Sequence, residues 1–292
     1  MHLSFVQAVI MGIVQGASEF LPISSSAHLR LVPAVLGFQD PGAGFTAVIQ
    51  IGTVAAVLLY FWQDLVAAFK GWCGSLGDAE RRNTVEARTG WAVFVGTLPV
   101  VIVGVLLRHQ IKSDSLRSLY VVAGSMIGMG LVMGASEWFG AERRELSEVR
   151  ASDGLLPGVL QCLALIPGMS RSGSTITGAF FMGFDRAAAT RLSFLMSVPS
   201  VLGAGVYELW DARRELSQVG VGATLVSTIL SLLVGLWAIK FLITWITRHG
   251  VGLFVVYRLA LGGLLFLLLA QGVLRPMSGE RGDTAPVERT QR

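Results

Sequence analysis

Phe20-Leu21-Pro22-Ile23-Ser24-Ser25-Ser26-Ala27-His28 interrupts an apolar stretch near the N-terminus, and Ile166-Pro167-Gly168-Met169-Ser170-Arg171-Ser172-Gly173-Ser174-Thr175 interrupts another in the second half. The proline in each breaks any helix that runs into it. Hydroxyls, an imidazole and a guanidinium on broken backbone are expensive in hydrocarbon, and persist only where they line an enclosed or watery cavity. The two segments therefore mark where chemistry would sit.

The surrounding chain is built for lipid. Hydrophobic residues make up 53% of the 292 and charged residues only 14%, against roughly 25% charged in soluble domains, and the mean hydropathy is +0.64. Six uncharged runs approach or exceed the ~17 to 25 residues a tilted helix needs to cross a bilayer, if flanking side chains snorkel. They are Pro41–Gln63, Thr89–Leu107, Ser118–Ser136, Leu192–Tyr207, Leu216–Ile239 and Leu259–Leu274. Three shorter runs, His2–Ser18, Gly154–Ser170 and Ser172–Phe184, flank or contain the polar segments. The first has no basic leader and runs straight into Glu19 and Pro22, so it reads as mature structure rather than a signal peptide.

A weak repeat relates the halves. Gly12-Ile13-Val14-Gln15 is echoed 146 residues later by Gly158-Val159-Leu160-Gln161, and a proline, a serine cluster and three long apolar runs follow each copy. An odd number of crossings per unit inserts the second copy upside down and lets two broken hairpins meet near the midplane. The expected fold is thus an all-α polytopic membrane protein: six transmembrane helices plus two re-entrant helical hairpins in an inverted-topology repeat. A single membrane domain is expected over 1–275, with repeats of about 1–139 and 154–275, followed by a disordered tail, 276–292, rich in Gly, Pro and charge.

Counting Lys and Arg in the loops places Lys70, Arg81, Arg82, Arg88, Arg143, Arg144, Arg150 and Arg248 on one side, and Arg108, Lys112, Arg117, Arg213 and Arg214 with the tail on the other. The first set is the larger, so the positive-inside rule puts both termini outside. The net charge of +4 forms no dense basic block, so no nucleic-acid partner is indicated. Cys73 and Cys162 have no metal-ligand spacing and read as packing residues; the eight residues between Cys162 and Arg171 do not fit the tight loop of cysteine phosphatases.

Gln15 and Glu19, four apart, share a helix face and point toward the first break. The carboxylate suits a cation or a proton; the bland alternative is pairing with serines or an Arg. Ser24, Ser25 and Ser26 supply hydroxyls at the start of a short helix, Leu29–Leu36, whose N-terminus attracts an anion; plain capping accounts for one Ser but hardly three. His28 is the one histidine inside a polar cluster, suited to acid, base or nucleophile duty, or else structurally bonded. In the second segment Gly168 permits a tight backbone, Ser170, Ser172, Ser174 and Thr175 supply hydroxyls, and Arg171 offers a planar fork matched to phosphate oxygens. The strongest bland reading of Arg171 pairs it with Glu19, which itself brings the two segments together. Gln50 and Ser197, 147 apart, stand in the first run after each hairpin as a candidate second polar layer.

QGASEFLPISSSAH and PGMSRSGST resemble the two signatures of the undecaprenyl-diphosphate phosphatases of the bacitracin-resistance type, and VIQIGTVAAV (Val48–Val57) and LSFLMSVPSVLGA (Leu192–Ala204) look like further family segments. The resemblance implies hydrolysis of the C55 isoprenoid diphosphate to its monophosphate, recycling the carrier for cell-wall synthesis and conferring bacitracin resistance, with a divalent cation such as Mg2+ or Ca2+. It implies a multi-pass protein of the bacterial cytoplasmic membrane, two re-entrant hairpins and a site facing the periplasm. Glu19, Ser25, His28 and Arg171 are the catalytic candidates it points to. Ser24, Ser26, Gly168, Ser170, Arg171, Ser172 and Thr175 are the diphosphate-binding candidates. The resemblance makes Glu19 the metal-binding or proton-handling carboxylate, with Gln15 a second metal candidate that stands where other members carry Glu and contributes no charge. The partners expected are the lipid substrate and, at most, a second copy of the chain as a homodimer.

Phosphoryl transfer by positioning and charge neutralisation fits these residue types. Whether His28 or Ser25 attacks, or His28 handles the proton of an attacking water, stays open in the sequence. The competing class is a transporter or flippase of a lipid phosphate or small anion, since inverted repeats with broken helices are common there. A structural scaffold leaves Glu19 and Arg171 unexplained, and the split signatures of acid-phosphatase-type lipid phosphatases do not occur.

Overall fold

The computed structural model describes residues 3–111, 113–140, 143–211 and 220–278. These form helices in the order α1 (Phe5–Phe20), α2 (Ser25–Leu36), α3 (Ala43–Tyr60), α4 (Trp62–Gly77), α5 (Val85–Leu106), the single turns α6 (Arg108–Ile111) and α7 (Asp114–Arg117), then α8 (Leu119–Phe139), α9 (Leu155–Gln161), α10 (Arg171–Phe181), α11 (Arg186–Asp211), α12 (Val221–His249) and α13 (Gly252–Ala270). Short 3-10 turns join some of them, and one isolated bridge, Arg144 to Phe184, is the sole extended pairing among the described residues. Five helices are long and apolar enough to cross a membrane, or six if α3 and α4 make one bent span. The protein is a polytopic membrane protein.

Packing follows small-residue rules, because lipid provides no hydrophobic drive between helices. α1 lies along α12. A side chain at Gly12 would come within 2.6 Å of the Ser227 carbonyl, while Ser227 Oγ donates to Ala8 O at 2.7 Å. α9 lies along α5 in the same manner, and a side chain at Gly158 would overlap the Gly96 backbone. Each broken hairpin thus leans on the second long helix of the other half. Between them, Phe20 meets Phe194 of α11 edge-on at 5.7 Å, within a core that includes Met129, Phe180 and Phe184.

The helix limits depart from the uncharged runs at three places. The run Pro41–Gln63 is not one straight helix: the chain bends by 77° at Phe61. No proline or glycine marks the bend. It is drawn by burial of Phe61, whose ring meets Phe194 at 5.3 Å, and by the pairing of Asp64 with Arg191 at 2.6 Å. α12 is described from Val221, leaving the expected start at Leu216 outside the described residues, and it continues through exposed Lys240 to His249, since a long amine reaches water from a helix in lipid. α13 starts at Gly252, seven residues before the uncharged run, and so carries Tyr257 and Arg258 within it. Of the expected tail, Pro276–Ser278 are packed: Leu119 N donates to Pro276 O at 2.9 Å, and Arg30 donates to Ser278 O. Residues 279–292 lie outside the described residues.

Candidate active site

α1 ends at Phe20, because Pro22 follows. Ser24 then takes φ +75° and ψ 102°, and α2 starts at Ser25. In the other half Gly168 has φ +97°, Ser170 has φ +71° and ψ 119°, and α10 starts at Arg171. Ser24 and Ser170, 146 residues apart, are the only non-glycine residues with positive φ among those described. Such backbone costs of order 1 kcal/mol or more and has to be held by its surroundings.

Each strained serine is held through its carbonyl by the residue four positions on. Ser24 O accepts from His28 N at 3.3 Å and lies 2.7 Å from His28 Nδ1. Ser170 O accepts from Ser174 N at 3.0 Å and from Ser174 Oγ at 2.8 Å. The hydroxyls also match, Ser24 Oγ with Ser26 Oγ at 3.1 Å and Ser170 Oγ with Ser172 Oγ at 3.3 Å. Only Ser170 caps its helix, accepting from Gly173 N at 3.2 Å.

The two tips touch. Gly168 N donates to Ser26 Oγ at 3.3 Å, and Ser172 Oγ donates to Leu21 O at 3.3 Å. Behind them Arg258, fully buried, spends its guanidinium on carbonyls alone: Pro22 O at 3.2 Å, Gly168 O at 2.8 Å, Met169 O at 3.3 Å, and Ser125 O and Met126 O of α8 at 3.3 and 3.1 Å. The planar fork suits five acceptors spread over three segments, as an ammonium would not. Sequence reasoning missed Arg258. It stands one residue before an uncharged run, where a basic side chain reads as an interfacial flank; its one signal is that its neighbours on both sides are apolar or aromatic.

Glu19 lies at the junction. Its Oε1 accepts from Arg171 Nη2 at 3.0 Å and Gln50 Nε2 at 3.4 Å; its Oε2 accepts from Ser25 Oγ at 2.7 Å and Gln15 Nε2 at 3.1 Å. One carboxylate thus gathers donors from α1, α2, α3 and α10. Two buried polar atoms of the cluster, Gln15 Oε1 and Arg171 Nη1, have no protein partner. A crevice opens beside the pair, lined by Glu19, Phe20, Thr53, Arg171, Ser197 and Val201. Of the pair flagged by spacing, Ser197 lines it, and Gln50 bonds Glu19.

The remaining candidates sit around this centre with their polar atoms engaged. His28 bonds Ser24 O and, through Nε2, the Tyr257 hydroxyl at 2.6 Å. Thr175 Oγ1 lies 2.5 Å from Ser193 Oγ and donates within its own helix. Ser170 and Ser172 bond backbone, and Ser26 is exposed beside Gly168. Among the described residues no group of three or more His, Cys, Asp or Glu gathers to hold a metal. The donors at the junction are hard oxygens, the Glu19 carboxylate and the unpartnered Gln15 carbonyl, which suit Mg2+ or Ca2+ better than a softer ion.

A hydroxyl and an arginine fork bonded to one carboxylate are groups that phosphoryl transfer can use. The family described as bacitracin resistance protein BacA matches residues 8–264. The chain is 45% identical over 270 residues to an undecaprenyl-diphosphatase of Nocardioides sp., covering 92% of this chain and 98% of the relative. It is 46% identical to one of Chlorobaculum tepidum (94% and 100%) and 45% identical to one of Myxococcus xanthus (98% and 96%). A match over nearly the whole chain, with relatives this similar along their full length, means that the chain belongs to the bacitracin resistance protein BacA family.

Proposed function

We infer that this protein is an integral-membrane enzyme that hydrolyses undecaprenyl diphosphate to undecaprenyl phosphate and inorganic phosphate, returning the carrier to cell-wall synthesis and giving resistance to bacitracin. The observation that carries the chemistry is the row Ser25 Oγ, Glu19, Arg171, with both bonds in hydrogen-bond range across two halves of the chain.

Ser25 Oγ attacks the terminal phosphorus, and its proton passes to Glu19 Oε2, 2.7 Å away. The bond from that phosphorus to the bridging oxygen breaks, and undecaprenyl phosphate leaves with the electron pair and takes the proton back from Glu19. Water then attacks the phosphoserine with the freed Glu19 carboxylate as base, and the proton that Glu19 takes from water passes to Ser25 Oγ as its bond to phosphorus breaks, releasing inorganic phosphate and restoring the hydroxyl. Arg171 turns its fork from Glu19 to the phosphoryl oxygens as charge builds on them, which is differential binding of the transition state. Its unpartnered Nη1 is free for that contact. Ser24, Ser26, Gly168, Ser170, Ser172 and Thr175 form the cradle, chiefly by fixing the backbone of the two tips, with His28 bracing the first. Glu19 and Gln15 Oε1 would hold a divalent cation, which when bound would neutralise phosphate charge.

The same reading makes α1–α2 and α9–α10 two re-entrant hairpins of an inverted repeat among six spans, in one membrane domain. The matched strained serines and the mirrored packing of α1 on α12 and α9 on α5 support it. The loop charges favour both termini outside, with the site open to the periplasm of a bacterial inner membrane. Each chain carries a complete site, so a homodimer needs no shared residue.

Purified protein in detergent, supplied with undecaprenyl diphosphate and Mg2+, tests the reading. Release of inorganic phosphate is expected. No release, together with counterflow of the lipid phosphate in liposomes, would establish the transporter reading in its place.

A further inference from the structure

The strained carbonyls of the two tips are secured differently. Ser170 O is held within its own helix by the Ser174 hydroxyl. Ser24 O is held by an imidazole whose other nitrogen is tied to a distant helix: His28 Nε2 lies 2.6 Å from Tyr257 Oη of α13, with the rings stacked at 5.7 Å and 13°. A carbonyl only accepts, so His28 Nδ1 carries the hydrogen; in the neutral ring Nε2 is then an acceptor, and the Tyr257 hydroxyl donates to it. Both nitrogens are thereby occupied, and the carboxylate next to Ser25 is Glu19.

Resting on the hydrolase reading, we propose that Tyr257 is a positioning residue: it fixes the His28 tautomer, and through it the strained Ser24 that sets the direction of Ser25. The tyrosine is next to Arg258, which clamps Pro22 O, Gly168 O and Met169 O. Two consecutive residues of α13 therefore brace the first tip from behind, one by its carbonyl at Pro22 and one through an imidazole.

The test has an arm independent of turnover. Nitrogen NMR of protein labelled at its four histidines should show His28 protonated at Nδ1, with an Nε2 resonance that moves in Tyr257→Phe. A wild-type ring protonated at Nε2 and bare at Nδ1, or an Nε2 resonance untouched by that substitution, overturns the proposal. In turnover, Tyr257→Phe keeps the stacked ring and should lower kcat about tenfold with KM changed by less than about twofold, as small misplacement of a nucleophile does. A lowered Tm with unchanged kcat would reduce Tyr257 to helix glue and overturn it. His28→Ser copies the solution of the second tip. It should retain at least about tenfold more activity than His28→Ala and be insensitive to added Tyr257→Phe. Equal inactivity of the two His28 variants would mean that the imidazole acts on substrate directly, against the proposal. Wild-type protein that releases no phosphate would sink the hydrolase reading while leaving the nitrogen signals to decide the tether.

Discussion

The two polar tips share a backbone conformation and present different side chains. Both put a serine at positive φ before a helix, and both secure its carbonyl from four residues on. At the position after the strained serine one tip has Ser25 and the other Arg171, so matched backbone presents a hydroxyl at one tip and a guanidinium at the other. The carboxylate is also one-sided, since the residue 146 after Glu19 is Leu165. A symmetric frame thus carries an asymmetric site, with Glu19 bonded to both specialised residues.

Substitutions can break this division, beginning where the loss should be greatest. Ser25→Ala should reduce phosphate release by about 10⁴-fold or more, as loss of a nucleophile does. Ser172→Ala, a serine at the other tip bonded only to backbone and Ser170, should cost no more than about tenfold. Equal effects would erase the distinction between the tips. Arg171→Ala should lose about 10³-fold, the scale of removing a transition-state charge holder; a near-native kcat would remove Arg171 from the mechanism.

Arg258→Lys keeps a charge but cannot span acceptors on three segments. Activity should fall about tenfold and thermal unfolding in detergent should come earlier, by an amount on the order of 2–5 kcal/mol for a disrupted buried charge. Unchanged stability would mean that the tips hold together without it. At the small end, Ser170→Ala should cost about 1 kcal/mol as a lost helix cap, and Ser24→Ala less, because its hydroxyl caps no backbone N–H. The reverse order would contradict the local account of the two strained residues.

What the sequence disclosed follows from cost. Glu19 and Arg171 stand in apolar surroundings, and charges there must find partners; the pairing weighed as their bland alternative is the one seen, and it is the ion pair among the bonds that join the tips. The two chain breaks were legible because Pro22 and Pro167 each stand beside a serine cluster; proline alone marks no break, since Pro33, Pro99 and Pro199 lie inside α2, α5 and α11. Gln50 and Ser197 were flagged by spacing alone. The bend at Phe61 was hidden, because it depends on an aromatic contact with α11 and the Asp64–Arg191 pair, both remote in sequence. Arg258 and Tyr257 escaped notice for a related reason: at the edge of an apolar run a basic or aromatic side chain suggests an interface, and only tertiary packing draws α13 past them into the core. The strain at Ser24 and Ser170 was likewise unreadable, since serine is not the residue a positive φ selects.

The central claim is that Glu19 of one tip and Arg171 of the other form a single charge-coupled centre. A double-mutant cycle of thermal unfolding in detergent, with Glu19→Gln, Arg171→Met and the pair, tests it without reference to turnover. Each single change strands a buried charge and should lower Tm, while the double variant should recover most of the loss, a coupling of at least about 1.5 kcal/mol. Losses that simply add would show that the two residues do not meet, and the proposed site would not exist.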